Sequence, residues 1–242
     1  LLEGYQKLGR GVLVAYYLLN FATMFTIQAA VTIVTAGLAS QLFGITGDLV
    51  IWSAILLLIS ATLLVIGRYK LLDNLMKYII LTLTISTIVA VTVAFFSTKN
   101  AFDITPVLPS GTGEITFLIA FLGWMPAPLD IAVWHSIWSI EKNKNTVLKT
   151  TPKEAIFDFN IGYLGTLFLG VCFVLLGALV MHHSGETFSE KGSEFASQLI
   201  NLYTKNLGEF FYLFIAIAAF TTMFSTTLTT FDASPRAMEK TT

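Results

Sequence analysis

The 242-residue sequence is poor in charge, with Asp, Glu, Lys and Arg together at 12%. Soluble domains carry about 25%, so a globular domain with a solvated charged surface is excluded. One cysteine is present, Cys172, inside an apolar run. That excludes a disulfide framework and a cysteine metal cluster. Neither sign of charge dominates, the net being −1, and nothing in that balance calls for nucleic acid. The first residues do not read as a secretory signal, since residue 1 is Leu and Glu3 to Arg10 is polar. What is abundant is apolar: 55% of residues are hydrophobic and the mean hydropathy is +0.76. The expectation is an all-α integral membrane protein, because helices satisfy their own backbone in lipid.

A bilayer core takes about 20 apolar residues per helix. Six segments fit, within one transmembrane domain over 1–242: A (11–36), B (49–67), C (75–97), D (115–140), E (160–182) and F (207–231). Turn and breaker signals separate them, "FGITGD", "GRYK", "TPVLPSGTG", "NKNTVLKTTPKE" and "HHSGETFSEKGSE". Lys and Arg set the orientation. With the N-terminal end cytoplasmic, the inner segments hold Lys7, Arg10, Arg68, Lys70, Lys77, Lys142, Lys144, Lys149, Lys153, Arg236 and Lys240. The outer ones hold Lys99, Lys191 and Lys205. Helix A therefore runs outward and helix D inward. The compact loops suit a bacterial inner membrane.

Three helices carry polar or small residues of ordinary kind. In E, Gly162, Thr166 and Gly170 share a face with Gly177 beyond, a pattern suited to close helix packing. In F, Thr222, Ser225, Thr226 and Thr229 share a face. Such hydroxyls usually bond to their own helix, although their density also suits a wetted wall, with Thr222 and Thr226 as candidates. In A, Asn20, Thr23 and Gln28 suit interhelical hydrogen bonds, and Gln28 is a candidate for lining a pathway.

Helix D is different, for "GWMPAPLDIAVWHS" occupies positions 123–136. Pro126 and Pro128 each remove a backbone donor and crowd the preceding turn. The carbonyls from Phe121 to Trp124 lose their partners, and Gly123 eases unwinding. The predicted break falls about ten residues into a span of about 20, near the midplane. Orphaned carbonyls there cost several kcal/mol unless they border protein, water or an ion, and transporters place sites at such broken helices. Asp130 would cost at least ~2.5 kcal/mol in lipid, so it should face a cavity or a partner. His135 suits proton handling or, flanked by Trp134 and Trp138, an interfacial anchor.

These residues resemble the Nramp family of divalent metal transporters, whose sixth helix carries Met-Pro-His and then His-Ser. Met125-Pro126 and His135-Ser136 correspond. "GRYKLLDNLMKYIILTLTISTIVAV" is similar to the region joining the family's fourth and fifth helices, and "STTLT" in F to its eighth. The resemblance covers nearly the whole chain, as the third to eighth helices. It implies a LeuT-type fold of two inverted repeats in which A and F are mates; "TMFT" at 23–26 and "TMFS" at 222–225 agree. The family's first helix, with its Asp-Pro-Gly-Asn motif, has no counterpart, so the chain is expected to be a fragment.

The resemblance implies a metal held by the Met125 sulfur and the Leu122 carbonyl, with Asp130 and His135 as proton or charge-balancing groups. The sequence departs from the family at Ala127, where the motif has histidine. Aligning on His135-Ser136 instead puts Pro128 at the methionine position and Asp130 at the histidine position. The family's acidic residues on the third helix fall near Ile27 and Ala30. A thioether is a soft ligand that favours transition metals such as Mn²⁺ or Fe²⁺ and adds little for Mg²⁺ or Ca²⁺, and a carboxylate in its place favours a hard, hydrated cation such as Mg²⁺. The expected function is alternating-access transport of a divalent cation in the lipid bilayer, with protons as a candidate coupling ion. The metal is substrate, and no cofactor is expected. An organic-solute symporter of the same fold is the alternative. An enzyme is not expected: Asp130 and His135 lie about 140° apart on a helix, and no nucleophile–base motif accompanies them.

Overall fold

The computed structural model describes residues 1–97, 108–124, 129–145, 151–181, 189 and 191–241. Among the described residues every regular element is helical and none is a strand. In chain order the helices are α1 (Leu2–Leu8), α2 (Arg10–Phe43), α3 (Leu49–Ser97), α4 (Thr112–Trp124), α5 (Leu129–Asn145), α6 (Pro152–Leu176), α7 (Gly192–Leu207) and α8 (Tyr212–Thr241). A π-helical turn, Gly177–Met181, extends α6, and a 3₁₀ turn, Glu209–Phe211, precedes α8. Four stretches are long and apolar enough to cross a membrane: Arg10–Phe43, Leu49–Ile66, Lys77–Phe96 and Pro152–Leu179. They correspond to spans A, B, C and E. Span D is described as α4 and α5 on either side of 125–128, and span F falls in α8.

Several boundaries differ from expectation, each for a local reason. Helix α2 continues to Phe43 and stops where Gly44 takes φ 63 and its N–H bonds to the Ser40 carbonyl at 3.0 Å, the left-handed stop that glycine permits. Asp48 then opens α3 by accepting the Val50 N–H at 2.8 Å. Helix α6 begins at Pro152 because Thr151 and Glu154 form a capping box. The Glu154 carboxylate accepts the Thr151 N–H at 2.8 Å and its hydroxyl at 2.9 Å. Pro152 sits at the first helical position, where its missing donor costs nothing.

The expected turn "GRYK" between B and C is instead helical, since α3 is assigned as one helix from Leu49 to Ser97. Its two ends nevertheless reach one neighbourhood. Trp52 packs with Ala39, whose neighbour Leu38 clusters with Ile200, while Tyr203, one turn from Ile200, packs against Ala90 and Ala94. On a straight helix residues 52 and 90 would stand about 57 Å apart. That short chain of side-chain contacts cannot bridge such a distance, so α3 is not a straight rod.

The chain divides into two compact units. Unit 1 comprises Leu1–Ala22, Asn100–Leu148 and Ala233–Thr242; unit 2 comprises Thr23–Lys99 and Lys149–Asp232. Unit 2 contains α7, an amphipathic helix absent from the expected spans because its polar face breaks the continuous apolar run of a span. It seats Ile200 against Leu38 and Ala216, and its start lies so close to α2 that a Cβ on Gly37 would stand 2.5 Å from the Ser193 Cβ. The glycine face of α6 does not pack as expected. Among the described residues nothing lies within 4 Å of a Cβ placed on Gly162, Gly170 or Gly177. Small residues permit close approach but do not supply a neighbour, and α6 buries only Cys172 and Leu176.

Candidate functional site

Unit 1 holds the buried carboxylate. Asp130 lies in the first turn of α5 and is 3% exposed. A carboxylate there meets the positive end of the helix dipole, which offsets part of its desolvation. Its surroundings come from three further helices. Val133 and Trp134 of α5 form a buried cluster with Ala233 and Ala237 of α8, and Tyr5 of α1 and Tyr16 of α2 pack against it. The rings of Tyr5 and Tyr16 stand 5.7 Å apart. Asn20, one turn from Tyr16 along the same face of α2, is 1% exposed.

Among the described residues, the Tyr16 hydroxyl and the Trp134 indole N–H are buried without a hydrogen-bond partner. A buried donor left unmatched costs about 1–3 kcal/mol. Trp134 follows Asp130, the one buried acid among this unit's described residues, by four positions on α5. In the sequence Asn20 reads as an interhelical bonder and Trp134 as a neighbour of His135, while Tyr16 carries no mark of its own. The spacing of Tyr16 and Asn20, four residues apart on one apolar helix, is the signal that was available.

The other expected site residues are placed as follows. Met125, Pro126 and Pro128 lie outside the described residues. Gly123 and Leu122 fall in the last turn of α4, with Leu122 61% exposed. His135 is exposed, with its ring edge-on to Trp138 at 6.3 Å. Among the described residues no group of three His, Cys, Asp or Glu side chains is arranged to hold a metal ion.

Gln28, Thr222 and Thr226 belong to unit 2. The Gln28 amide oxygen accepts the Thr230 hydroxyl at 2.7 Å, and its nitrogen donates to the Thr227 carbonyl and the Thr32 hydroxyl, each at 3.3 Å. Thr35 and Thr227 share a hydrogen bond of 2.8 Å between their hydroxyls. Gln28 thus joins α2 to α8 by hydrogen bonds, as a polar interruption of an apolar helix should. Thr222 and Thr226 donate to carbonyls of their own helix, Ala218 at 2.7 Å and Thr222 at 3.1 Å.

A model of the natural resistance-associated macrophage protein-like family, Nramp, matches residues 5–242 of this chain. An uncharacterized protein of Pasteurella multocida (strain Pm70) is 37% identical over 243 residues, covering 98% of this chain and 55% of that protein. The chain therefore spans about half the length of that relative. No solved structure matches it.

Proposed function

The chain belongs to the Nramp family, and from that premise we propose that it forms the third to eighth membrane helices of a secondary transporter carrying a divalent cation by alternating access. Members of this family are transporters of divalent metals rather than enzymes, and the metal is their substrate. The observation that carries the reading furthest is Asp130, buried to 3% exposure in the first turn after the Met125-Pro126-Ala127-Pro128 segment. A carboxylate is not kept from water inside an apolar span without use.

In this reading α4 and α5 are the halves of one broken helix in a LeuT-type fold. The Leu122 carbonyl and Met125 sulfur hold the ion, Gly123, Pro126 and Pro128 keep the helix open, and Asp130 balances charge as the ion moves. His135 lies on the inner exit side, with the N-terminal end of the chain in the cytoplasm of a bacterial cell. A sulfur ligand supports Mn²⁺ or Fe²⁺ over Mg²⁺. Mn²⁺ uptake into proteoliposomes containing the full-length protein tests this. Met125→Ala is expected to lower the preference for Mn²⁺ over Mg²⁺ at least about tenfold, a loss of roughly 1.4 kcal/mol of discrimination. An unchanged preference would remove Met125 from the site. The burial of Asp130 favours one second reading, in which it stands at the histidine position of the family and takes a hard, hydrated cation. Mg²⁺ uptake that is insensitive to Met125→Ala and abolished in Asp130→Asn is the result expected from that reading.

A further inference from the structure

The first two helices of unit 1 meet at a single residue. Helix α1 ends at Leu8 and α2 begins at Arg10. Between them Gly9 takes φ 142 and ψ 149, a backbone conformation that suits glycine and few other residues. Its N–H closes α1 on the Tyr5 carbonyl at 3.2 Å, and its carbonyl opens α2 by accepting the Val12 N–H at 3.1 Å. Space does not call for glycine here, since a Cβ on Gly9 would meet nothing within 4 Å; the dihedral does. A joint of this kind absorbs rotation between the elements it links. Beyond the joint α1 is held lightly. Leu2 and Tyr5, three residues apart and so on one face, pack against the cluster of Val133, Trp134, Ala233 and Ala237. Those four are at most 5% exposed, whereas no residue of α1 is buried and Glu3, Gly4, Gln6, Lys7 and Leu8 are all exposed. An element with so few buried contacts opens at low cost. Every one of these residues belongs to unit 1.

We infer that α1 is a strap on the inner side of the transporter, hinged at Gly9: docked through Leu2 and Tyr5 it closes over α5 and α8, and it lifts when the inner side opens. Val133 and Trp134 follow Asp130 in α5 by three and four positions, so the strap bears on the half-helix that carries the buried acid. The inference rests on the transport reading and on the orientation given above, which puts α1 on the cytoplasmic side. It adds a moving part outside the 122–135 segment. Alternating access requires the inner contacts of α5 to break in one half of the cycle. The contacts of α1 are the ones built to break, because two partly buried side chains and one glycine joint are all that hold it to the cluster and to α2.

The test is a photochemical tether in the full-length protein, with p-benzoylphenylalanine in place of Leu2. Irradiation is expected to join α1 to α5 or α8, as read by peptide mapping, and Mn²⁺ uptake into proteoliposomes is expected to fall in proportion to the fraction joined. The same sample before irradiation is the reference. The same photoreactive residue at the exposed Lys7 should leave uptake unchanged on irradiation. A separate arm addresses the hinge. Gly9→Ala is expected to lower the maximal rate of Mn²⁺ uptake at least about fivefold with KM unchanged, the pattern of a group needed for movement rather than binding. Gly4→Ala and Gly11→Ala, at helical positions where a Cβ also meets nothing within 4 Å, should carry Mn²⁺ at the parental rate. A tether that maps to neither α5 nor α8 overturns the docked position. Full uptake by the tethered protein overturns the strap, and full uptake by Gly9→Ala overturns the hinge. A parent protein that carries no divalent cation overturns the transport reading instead, so the two failures are told apart.

Discussion

Single residues divide here into those whose chemistry is conspicuous in the sequence and those whose importance is conferred by a neighbour. Asp130 is of the first kind: a carboxylate in an apolar span has few uses, and the structure buries it. Tyr16 is of the second, since a tyrosine in a membrane helix attracts no attention until its hydroxyl is found buried and, among the described residues, unmatched. Gly37 is another. Nothing in "VTAGLASQ" distinguishes it, yet a Cβ there would stand 2.5 Å from the Ser193 Cβ and 3.2 Å from its Cα. Gly37→Ala is therefore expected to destabilise the folded protein by about 1–3 kcal/mol, the usual cost of forcing atoms into a packed contact. Thermal unfolding in detergent reads this as a lower Tm. Ser193→Gly in the same chain should restore part of the loss, because the closest opposing atom is gone.

At the scale of elements, the ends of helices were less legible than their middles. The sequence "TTPKEA" reads as a connection by its polarity, but its Thr151 and Glu154 spacing makes it the start of α6. The Thr151 N–H and then its hydroxyl hold the Glu154 carboxyl below its ordinary value of 4.5. A carboxyl depressed on folding stabilises the folded form above its unfolded pKa and loses that contribution as pH falls through the folded one. Protection of the Thr151 amide, which donates to Glu154, should accordingly be present at neutral pH and fall below about pH 4.5. Glu154→Gln, which keeps an acceptor at the same place, should abolish that pH dependence; hydrogen-exchange protection factors on either side of this pH decide it. Helix α7 was missed because an amphipathic helix that covers the ends of spans has no long apolar run. The π turn at Gly177–Met181 has no signal in the sequence that we can identify.

For the whole molecule, the Lys and Arg distribution is the strongest organising fact. In the orientation proposed from it, the end of span A and the segment between E and F share one side of the membrane. Within unit 2 the structure brings those two segments together, Gly37 of α2 against Ser193 of α7. The proposed orientation is tested by single cysteines placed after Cys172→Ser. Lys191→Cys, at a site whose side chain is 77% exposed, should react with an impermeant maleimide on intact cells. Lys153→Cys, at an exposed position in the first turn of α6, should react only after the membrane is opened. The reverse pattern would invert the chain and with it the direction assigned to α5.

The sequence by itself determined the solvent, the helical class and the family. Apolar length, scarce charge and a short motif are local properties, and the bilayer leaves a backbone few ways to satisfy itself. It also singled out Asp130 and Gln28, because a polar group in an apolar helix must find a partner. Only the tertiary structure decided what surrounds them: Thr227 and Thr230 for Gln28, and for Asp130 a buried place on α5 one turn before the cluster that holds Val133 and Trp134. It likewise decided that α3 is not a straight rod. The reason is physical. Periodicity tells which face of a helix is polar or small, but contact between residues more than a hundred positions apart depends on how helices stack, and no local pattern encodes that.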